Sequence, residues 1–411
     1  MTDRRLDQPR RVAVIGAGAA GLMAAIHAAR SGADVIVLER TRDGGRKILI
    51  SGGGRCNVLP NALQPERFVT DSSPNTLRNM LRAWPLDGQR AFFEVELGLR
   101  LILEEETGKL FPDTNHAKDV RDALVRAAQH AGARFVFGAR VVDVAFEAER
   151  WRVLLDDGPP VEADAVIVAA GGLSVPTTGS EGFGLDLARR TGHRVVPTYA
   201  ALTPLHGGDA TDHGLSGISA TVRLHVGAGK RRIEHRGGFL FTHRGFSGPT
   251  VLDASHHVTR GDDVALRVRW IDADDDALDT RLRENGTRSL IGEFRRDLPE
   301  RLAARLIRGA GADPAQRLAE LRRGERLGLI DALLRWPLIA TGHEGYRKAE
   351  VTGGGVHLGE VDPKTMESRR CPGLFFCGEV LDAFGPIGGH NFAWAWATGR
   401  TAGRSANRPG L

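Results

Sequence analysis

The stretch VAVIGAGAAGLMAAIHAARSGADVIVLER, residues 12–40, decides the fold. Val12 to Ile15 is a short β-branched apolar run of the kind that forms a buried parallel strand. It enters Gly16-Ala17-Gly18-Ala19-Ala20-Gly21. Leu22 to Ser31 then has helical composition, rich in Ala, and Gly32 reads as its stop. Asp34 to Leu38 (DVIVL) reads as a second strand ending at Glu39. Strand, glycine turn, helix, strand and acid follow within about 30 residues, the βαβ context in which G-x-G-x-x-G binds a dinucleotide.

Each position has a physical reason. Gly16 allows the tight turn off the strand, Gly18 lets backbone approach a pyrophosphate, and Gly21 lets the helix pack closely on the strand. The helix N-terminus, at Ala19 and Ala20, offers unpaired N–H groups and a positive dipole end. Glu39 is placed to accept hydrogen bonds from the ribose hydroxyls of an adenosine, with Arg40 beside it. A carboxylate there repels a 2′-phosphate, which argues against NADP at this site.

The continuation separates FAD from NAD. Gly44-Gly45-Arg46-Lys47 follows directly, then Ile48 to Ser51, then Gly52-Gly53-Gly54-Arg55-Cys56-Asn57. A nicotinamide domain usually continues with further βα units. A glycine- and arginine-rich extended segment suits a long cofactor lying across the domain. Arg46 and Lys47 are candidates to pair with phosphates or substrate, and Gly53 lets backbone pass close to a flat ring.

These and later residues resemble the signature of the HI0933-like flavoproteins, a family that includes proteins labelled aminoacetone oxidase and bile-acid reductase. GRKILISGGGRCNV carries the resemblance first. Glu106 to Pro112 (ETGKLFP) is similar to the family's E-x-G-K-x-F-P segment. VIVAAGG, Val166 to Gly172, with Ser174, Pro176 and Thr178-Gly179-Ser180, is similar to its ATGG-x-S-x-P-x-TGS stretch. Phe241-Thr242-His243 with Ser247-Gly248-Pro249, then Glu350 to Val356, then Gly378 to Asp382 through Asn391, complete it in order. Two positions depart: Ala170 stands where Thr is usual, and His390 where Tyr is common, a change on the substrate side. The resemblance implies an FAD-dependent oxidoreductase with non-covalent flavin. In folds of this kind the backbone near Val142, in the strand Arg140 to Val144, contacts adenine.

The later residues point the same way. Val161 to Val168 reads as a strand ending in small residues, Ala169-Ala170-Gly171-Gly172, which let a cofactor cross the sheet closely. Gly373 to Cys377 reads as a strand that runs into Gly378-Glu379, where a carboxylate suits the ribityl hydroxyls. Gly385 to Asn391 precedes an apolar helix from Phe392 to about Ser405. Its N-terminus, with Gly389, Asn391 and Phe392, is expected at the pyrimidine end of the flavin, where N–H dipoles stabilise negative charge.

The 411 residues, 41% hydrophobic and 26% charged, belong to a globular chain of two to three domains. Three cysteines exclude a disulfide framework and a four-Cys zinc site. Six of the 56 basic residues are Lys, which leaves 50 Arg. They are interspersed with 51 acids for a net charge of +5, without the clustering of a nucleic-acid stripe. No nucleic-acid partner is therefore expected. The uncharged run from Val12 to Ala29 after a basic N-terminus resembles a signal peptide or short membrane span, but its glycine spacing and the GADVIVLER continuation argue against both. A cytoplasmic protein without a membrane partner is expected.

The fold class expected is α/β: a discontinuous, glutathione-reductase-type Rossmann-like FAD domain, residues 1–197 and 344–411. Inserted in it are an antiparallel, barrel-like β subdomain, 198–275, and a helical subdomain, 276–343. In the former, Ala220 to Val226, Phe239 to Thr242 and Val264 to Trp270 read as strands. In the latter, Pro299 and Pro314 break the helical pattern. The insert is expected to cap the flavin and form a small-molecule cleft, which His243 is placed to reach.

Flavin carries the redox step, so no catalytic triad is required and none is seen. Cys56, beside Arg55, is one candidate catalytic residue, as a thiolate or proton donor; small-residue packing is the simpler role. His390 is the other, and Lys109 can neutralise an anion. No second G-x-G-x-x-G follows a later strand, so NAD(P)H enters at most as a transient donor. Two enzyme readings stand: an amine or alcohol oxidase or dehydrogenase, and an NAD(P)H-dependent reductase of activated C=C bonds. A flavin-binding redox sensor or RNA-associated protein is the reading of another class.

Overall fold

The structure is a computed structural model that describes residues 9–229, 232–284 and 286–408. The basic N-terminal stretch before Pro9 lies outside the described residues. The chain forms two units: residues to Tyr199 with Val351 onward, and Ala200–Glu350 between them.

The first unit begins as the βαβ pattern requires. Strand β1 (Arg11–Ile15) leads through the glycine turn to helix α1 (Ala19–Arg30) and strand β2 (Asp34–Glu39). A short helix α2 (Arg46–Ile50) follows, and helix α3 (Ala117–His130) precedes strand β3 (Arg134–Phe137). Strands β4 (Ala165–Val168) and β5 (Leu374–Phe376) complete one sheet, in the order β5-β4-β1-β2-β3. Every pairing in it is parallel, with Ile15 opposite both Leu38 and Val168. Val12, Ala13 and Val14 are fully buried, because helices cover both faces of such a sheet. The last helix, α4 (His390–Ala406), packs along α1.

The expected single strand from Val161 to Val168 is two. Val161–Ala163 pairs antiparallel with Arg150–Leu155, whereas β4 joins the parallel sheet. The pivot is Asp164, whose N–H donates to Arg11 O and whose carboxylate accepts from Arg11 N at 2.8 Å. The eight residues Val161 to Val168 thus serve two sheets.

The second unit holds seven antiparallel strands. In order they are Trp336–Pro337, Leu266–Arg269, Ser219–Val226, Ile233–Thr242, Gly245–Ser247, Leu205–Gly207 and Ala340–His343. The first and last do not pair among the described residues, so the expected barrel-like insert is an open sheet. The sheet shares one apolar core with the helices Asp275–Glu284, Glu300–Gly309 and Arg323–Leu334. Phe239, Phe241, Phe246, Trp270 and Trp336 form its aromatic centre. The helix Pro249–Arg260 was not anticipated, although Pro at its first position and Gly261 in the left-handed region after its end are its sequence signals. Among the described residues no helix is long and apolar enough to cross a membrane.

Candidate functional site

The three glycines of the turn differ in what demands them. Gly16 has φ +100°, and a Cβ on it would stand 2.6 Å from Ala169 O. A Cβ on Gly21 would stand 1.9 Å from Gly16 O. Both are required by the protein itself. Gly18 is not: its φ is −77°, which alanine adopts, and a Cβ there meets nothing within 4 Å. Gly18 caps α1 with no side-chain hydrogen bond, and no acid lies in the first turn. The N–H groups of the first turn, including Ala19, Ala20 and Gly21, have no intrahelical acceptor, and the space beside Gly18 is open. An anion fits there.

Glu39 is buried, and its carboxylate is engaged by the turn it follows. Oε2 accepts from Ala17 N at 2.7 Å, and Oε1 accepts from Thr41 N at 2.8 Å and Thr41 Oγ1 at 2.7 Å. The acid therefore fixes the glycine turn as well as lining it. Arg40 pairs with Glu181, which Arg140 approaches at 3.8 Å. The Arg40 guanidinium holds the Glu181 carboxyl below the usual carboxylate range. Val142 lies at a slip of register in its strand and is 45% exposed, so its backbone stands outside the ladder.

Lys47 and Glu379, 332 residues apart, form an ion pair at 2.6 Å. Lys47 Nζ also donates to Ser174 Oγ at 2.6 Å. The other carboxylate oxygen, Glu379 Oε1, accepts from Ser174 Oγ at 2.5 Å, Thr352 Oγ1 at 2.9 Å and Thr352 N at 3.0 Å. Thr352 Oγ1 accepts in turn from Leu173 N and Ser174 N, which ties the loop after β4 into the network. Ala170 and Gly171 are in that loop. Gly378 donates its N–H to Thr398 Oγ1 and accepts from Trp394 Nε1, so the loop after β5 is bound to α4. Ser174 and Thr352 lie in the motif stretches quoted from sequence, but no role was read for them there. Ser174 is in the loop after β4, and Thr352 is in the strand Val351–Val356.

Other expected contacts have partners within the protein. Arg46 pairs with Asp43 at 2.7 Å, and Arg121 lies 3.6 Å from the same carboxylate. Gly53 is exposed in the left-handed loop that follows α2. Asn391 closes the Gly385 loop: its Oδ1 accepts from Gly385 N at 2.9 Å and its Nδ2 donates to Gly385 O at 3.0 Å. Gly389 caps α4 with φ +93°, and Phe392 stacks on Trp396.

Cys56 fits the packing role rather than that of a thiolate. Its side chain is fully buried, and burial pushes the thiol up to about 12. Arg55 does not counter this, because it pairs with Glu104 at 3.0 Å and lies over the Phe111 ring at 4.1 Å. His390 is neutral for the same reason: burial, assisted by Arg67, lowers it to about 4. Neither ring nitrogen reaches a well-formed hydrogen bond, although backbone of Ile387 and Ala62 is near. His243 is exposed in the turn between two strands of the second unit. Asp382 was missed. It is buried and accepts from Thr70 Oγ1, Asp71 N and Ser72 Oγ, and burial raises it to about 6.

A sequence profile described as the HI0933-like protein Rossmann domain matches residues 10–405. The chain is 34% identical over 390 residues to the ribosomal RNA dihydrouridine synthase of Escherichia coli (strain K12), covering 94% of this chain and 95% of that one. It is 32% identical over 409 residues to the 3-dehydro-bile acid delta(4,6)-reductase of Clostridium scindens, covering 96% and 98%. Among solved structures, the 3-ketosteroid delta1-dehydrogenase of Sterolibacterium denitrificans superposes with TM-score 0.53 at 13% identity, covering 96% and 99%, which shows a shared fold.

Proposed function

The chain belongs to the HI0933-like family and is an FAD-dependent oxidoreductase; on that premise we propose that it saturates a carbon–carbon double bond conjugated to a carbonyl, with uridine in ribosomal RNA as substrate and NAD(P)H as electron source. One observation carries the reading. Two relatives matched over nearly their whole length are named for different substrates but for one kind of reaction. Dihydrouridine is uridine with its ring C=C saturated, and that bond is conjugated to a carbonyl. The first double bond of a 3-dehydro-bile acid with delta(4,6) unsaturation is likewise conjugated to a ketone.

The reaction adds a hydride at the β-carbon and a proton at the α-carbon, while NAD(P)H is oxidised to NAD(P)⁺. Bound FAD supplies the two-electron relay between nicotinamide and alkene. The chain's residues do the rest. The N–H groups at Ala19, Ala20 and Gly21 hold the pyrophosphate, and Glu39 fixes the turn and faces the ribose. Lys47 donates to Glu379 and Ser174, which leaves its third N–H for a cofactor or substrate acceptor. The α4 N-terminus, at Gly389 and His390, places a positive dipole end where negative charge develops. His390 acts as a neutral hydrogen-bonding group, and Cys56 packs with its proton retained.

The test gives the purified holoprotein NADPH and an unmodified ribosomal RNA transcript, then measures nucleosides by mass spectrometry. Dihydrouridine should appear in step with NADPH oxidation. Reduction of a steroid enone but not of RNA moves the substrate to small molecules. Reduction of neither overturns the reading.

A further inference from the structure

The carboxyl-terminal ends of α1, α3 and α4 converge on the side of the first unit opposite the glycine turn. Asn407 Nδ2, just past α4, donates to Ser31 O, just past α1. Between α1 and α3 lies a surface groove of about 480 Å³ lined by Arg30, Glu96, Arg126 and His130 and floored by Ala123 and Ala127. Its single carboxylate is committed, since Glu96 pairs with Arg30 at 2.5 Å. Arg126, His130 and Arg404 have no carboxylate partner among the described residues.

Two of the cations are fixed by aromatic faces. Arg30 lies 5.7 Å from the Phe92 ring centroid, and Arg400 lies 4.8 Å from that of Trp84. Arg30, Arg400 and Arg404 stand close enough to His27, between those two rings, that all three oppose its protonation. One wall is the π-helical turn Phe92–Glu96, an irregularity that recurs at functional sites. Complementing the helix dipole accounts for Arg30, His130 and Arg404, each in the last turn of its helix. It does not account for Arg126, a turn earlier, or for Arg30, Arg126 and His130 of two helices lining one concavity.

We propose that this groove binds the phosphodiester backbone of an RNA substrate. The proposal rests on the reading of ribosomal RNA as substrate and adds where the RNA is held. The groove lies at the carboxyl-terminal end of α1, and the flavin ring is expected at the amino-terminal end of α4, whose 17 residues run about 26 Å to an end shared with α1. A nucleoside or a steroid does not span that distance. An RNA strand does so in roughly eight nucleotides at about 3.4 Å each. The groove therefore separates polymer from small-molecule substrates: it adds affinity for the first and nothing for the second.

The test measures fluorescence anisotropy of a labelled ribosomal RNA hairpin across a salt series. The holoprotein is compared with the Arg30→Glu/Arg126→Glu double variant and with Arg126→Gln, a milder exposed change that keeps the helix. The double variant should bind at least about tenfold more weakly at 0.1 M salt, and its log–log salt slope should fall by about 2, one per lost phosphate contact. Arg126→Gln should lower the slope by about 1. Flavin reduction by NADPH and reduction of a small enone should be unchanged in both. Equal affinity and slope in all three proteins overturn the proposal, even if ribosomal uridine is reduced. Groove-dependent RNA binding without uridine reduction sustains the groove and instead removes the substrate reading.

Discussion

The two ends of α1 carry opposite chemistry. At the N-terminal end, Gly18 leaves the first-turn N–H groups open, no acid intrudes, and the nearest carboxylate, Glu39, is tied to the turn itself. At the C-terminal end, His27 and Arg30 sit among Arg400, Arg404 and the aromatic rings of Trp84 and Phe92. One end presents backbone donors to a small anion in a fixed geometry. The other presents side-chain cations, whose reach and hydration suit a diffuse anion. The same macrodipole favours both, since an anion is stabilised at the positive end and cations at the negative end. The difference teaches that the site is built by removing atoms at one end and adding charge at the other.

The strongest way to break this comparison is at the glycines. Gly21→Ala puts a Cβ 1.9 Å from Gly16 O, so backbone must move. We expect a loss of about 3 kcal/mol or more in stability and no retained flavin, read by chemical denaturation and by flavin content per chain. Gly18→Ala should leave apoprotein stability within about 0.5 kcal/mol, because the backbone is already compatible with alanine. It should still weaken FAD binding in apoprotein titration. Equal flavin retention in the Gly18 variant would show that the open space is not a ligand's.

The C-terminal end is sharpened by acid. Burial first, then Arg400, Arg30 and Arg404, lower His27 to about 3 from an ordinary value of 6.5. A depressed folded value gives stability that is complete above pH 6.5 and is lost as pH falls from there toward 3. The loss at pH 5.5 is about 1.4 kcal/mol from this group. His27→Leu should abolish that share, so its stability should fall less between pH 7.5 and 5.5 than that of the natural protein. Parallel pH profiles would contradict a neutral His27.

The smallest effect is expected at Cys56, in the loop at the cofactor end. A buried neutral thiol contributes packing, so Cys56→Ala should cost about 1 kcal/mol and leave the rate of flavin reduction by NADPH unchanged. A large fall in that rate with retained flavin would return Cys56 to the chemistry.

What was legible in the sequence was local. The βαβ unit shows in VAVIGAGAAGLMAAIHAARSGADVIVLER because strand, turn and helix periods are set by neighbours in the chain. The break at Asp164 was not legible, since Glu162 and Asp164 fit the outer face of one alternating strand as well as a change of sheet. The barrel-like expectation failed for a related reason. Alternation reports strands, whereas closure depends on whether Trp336–Pro337 and Ala340–His343 meet, and they do not among the described residues. Sequence left Cys56 between a thiolate beside Arg55 and simple packing, and the guanidinium turns instead to Glu104 and Phe111.

By itself the sequence determined the class of cofactor and the glycines the turn requires, Gly16 and Gly21, because steric limits on φ and on Cβ act within a few residues. Only the tertiary structure decided the partners. Lys47 meets Glu379 across 332 residues, with Ser174 and Thr352 completing the network. Arg30, Arg126 and His130, dispersed among acids along the chain, line one groove where α1 and α3 end. Side-chain hydrogen bonds and charge–charge interactions depend on distance in space, and the pairing of parallel strands and the helices that cover them set that distance, not spacing along the chain.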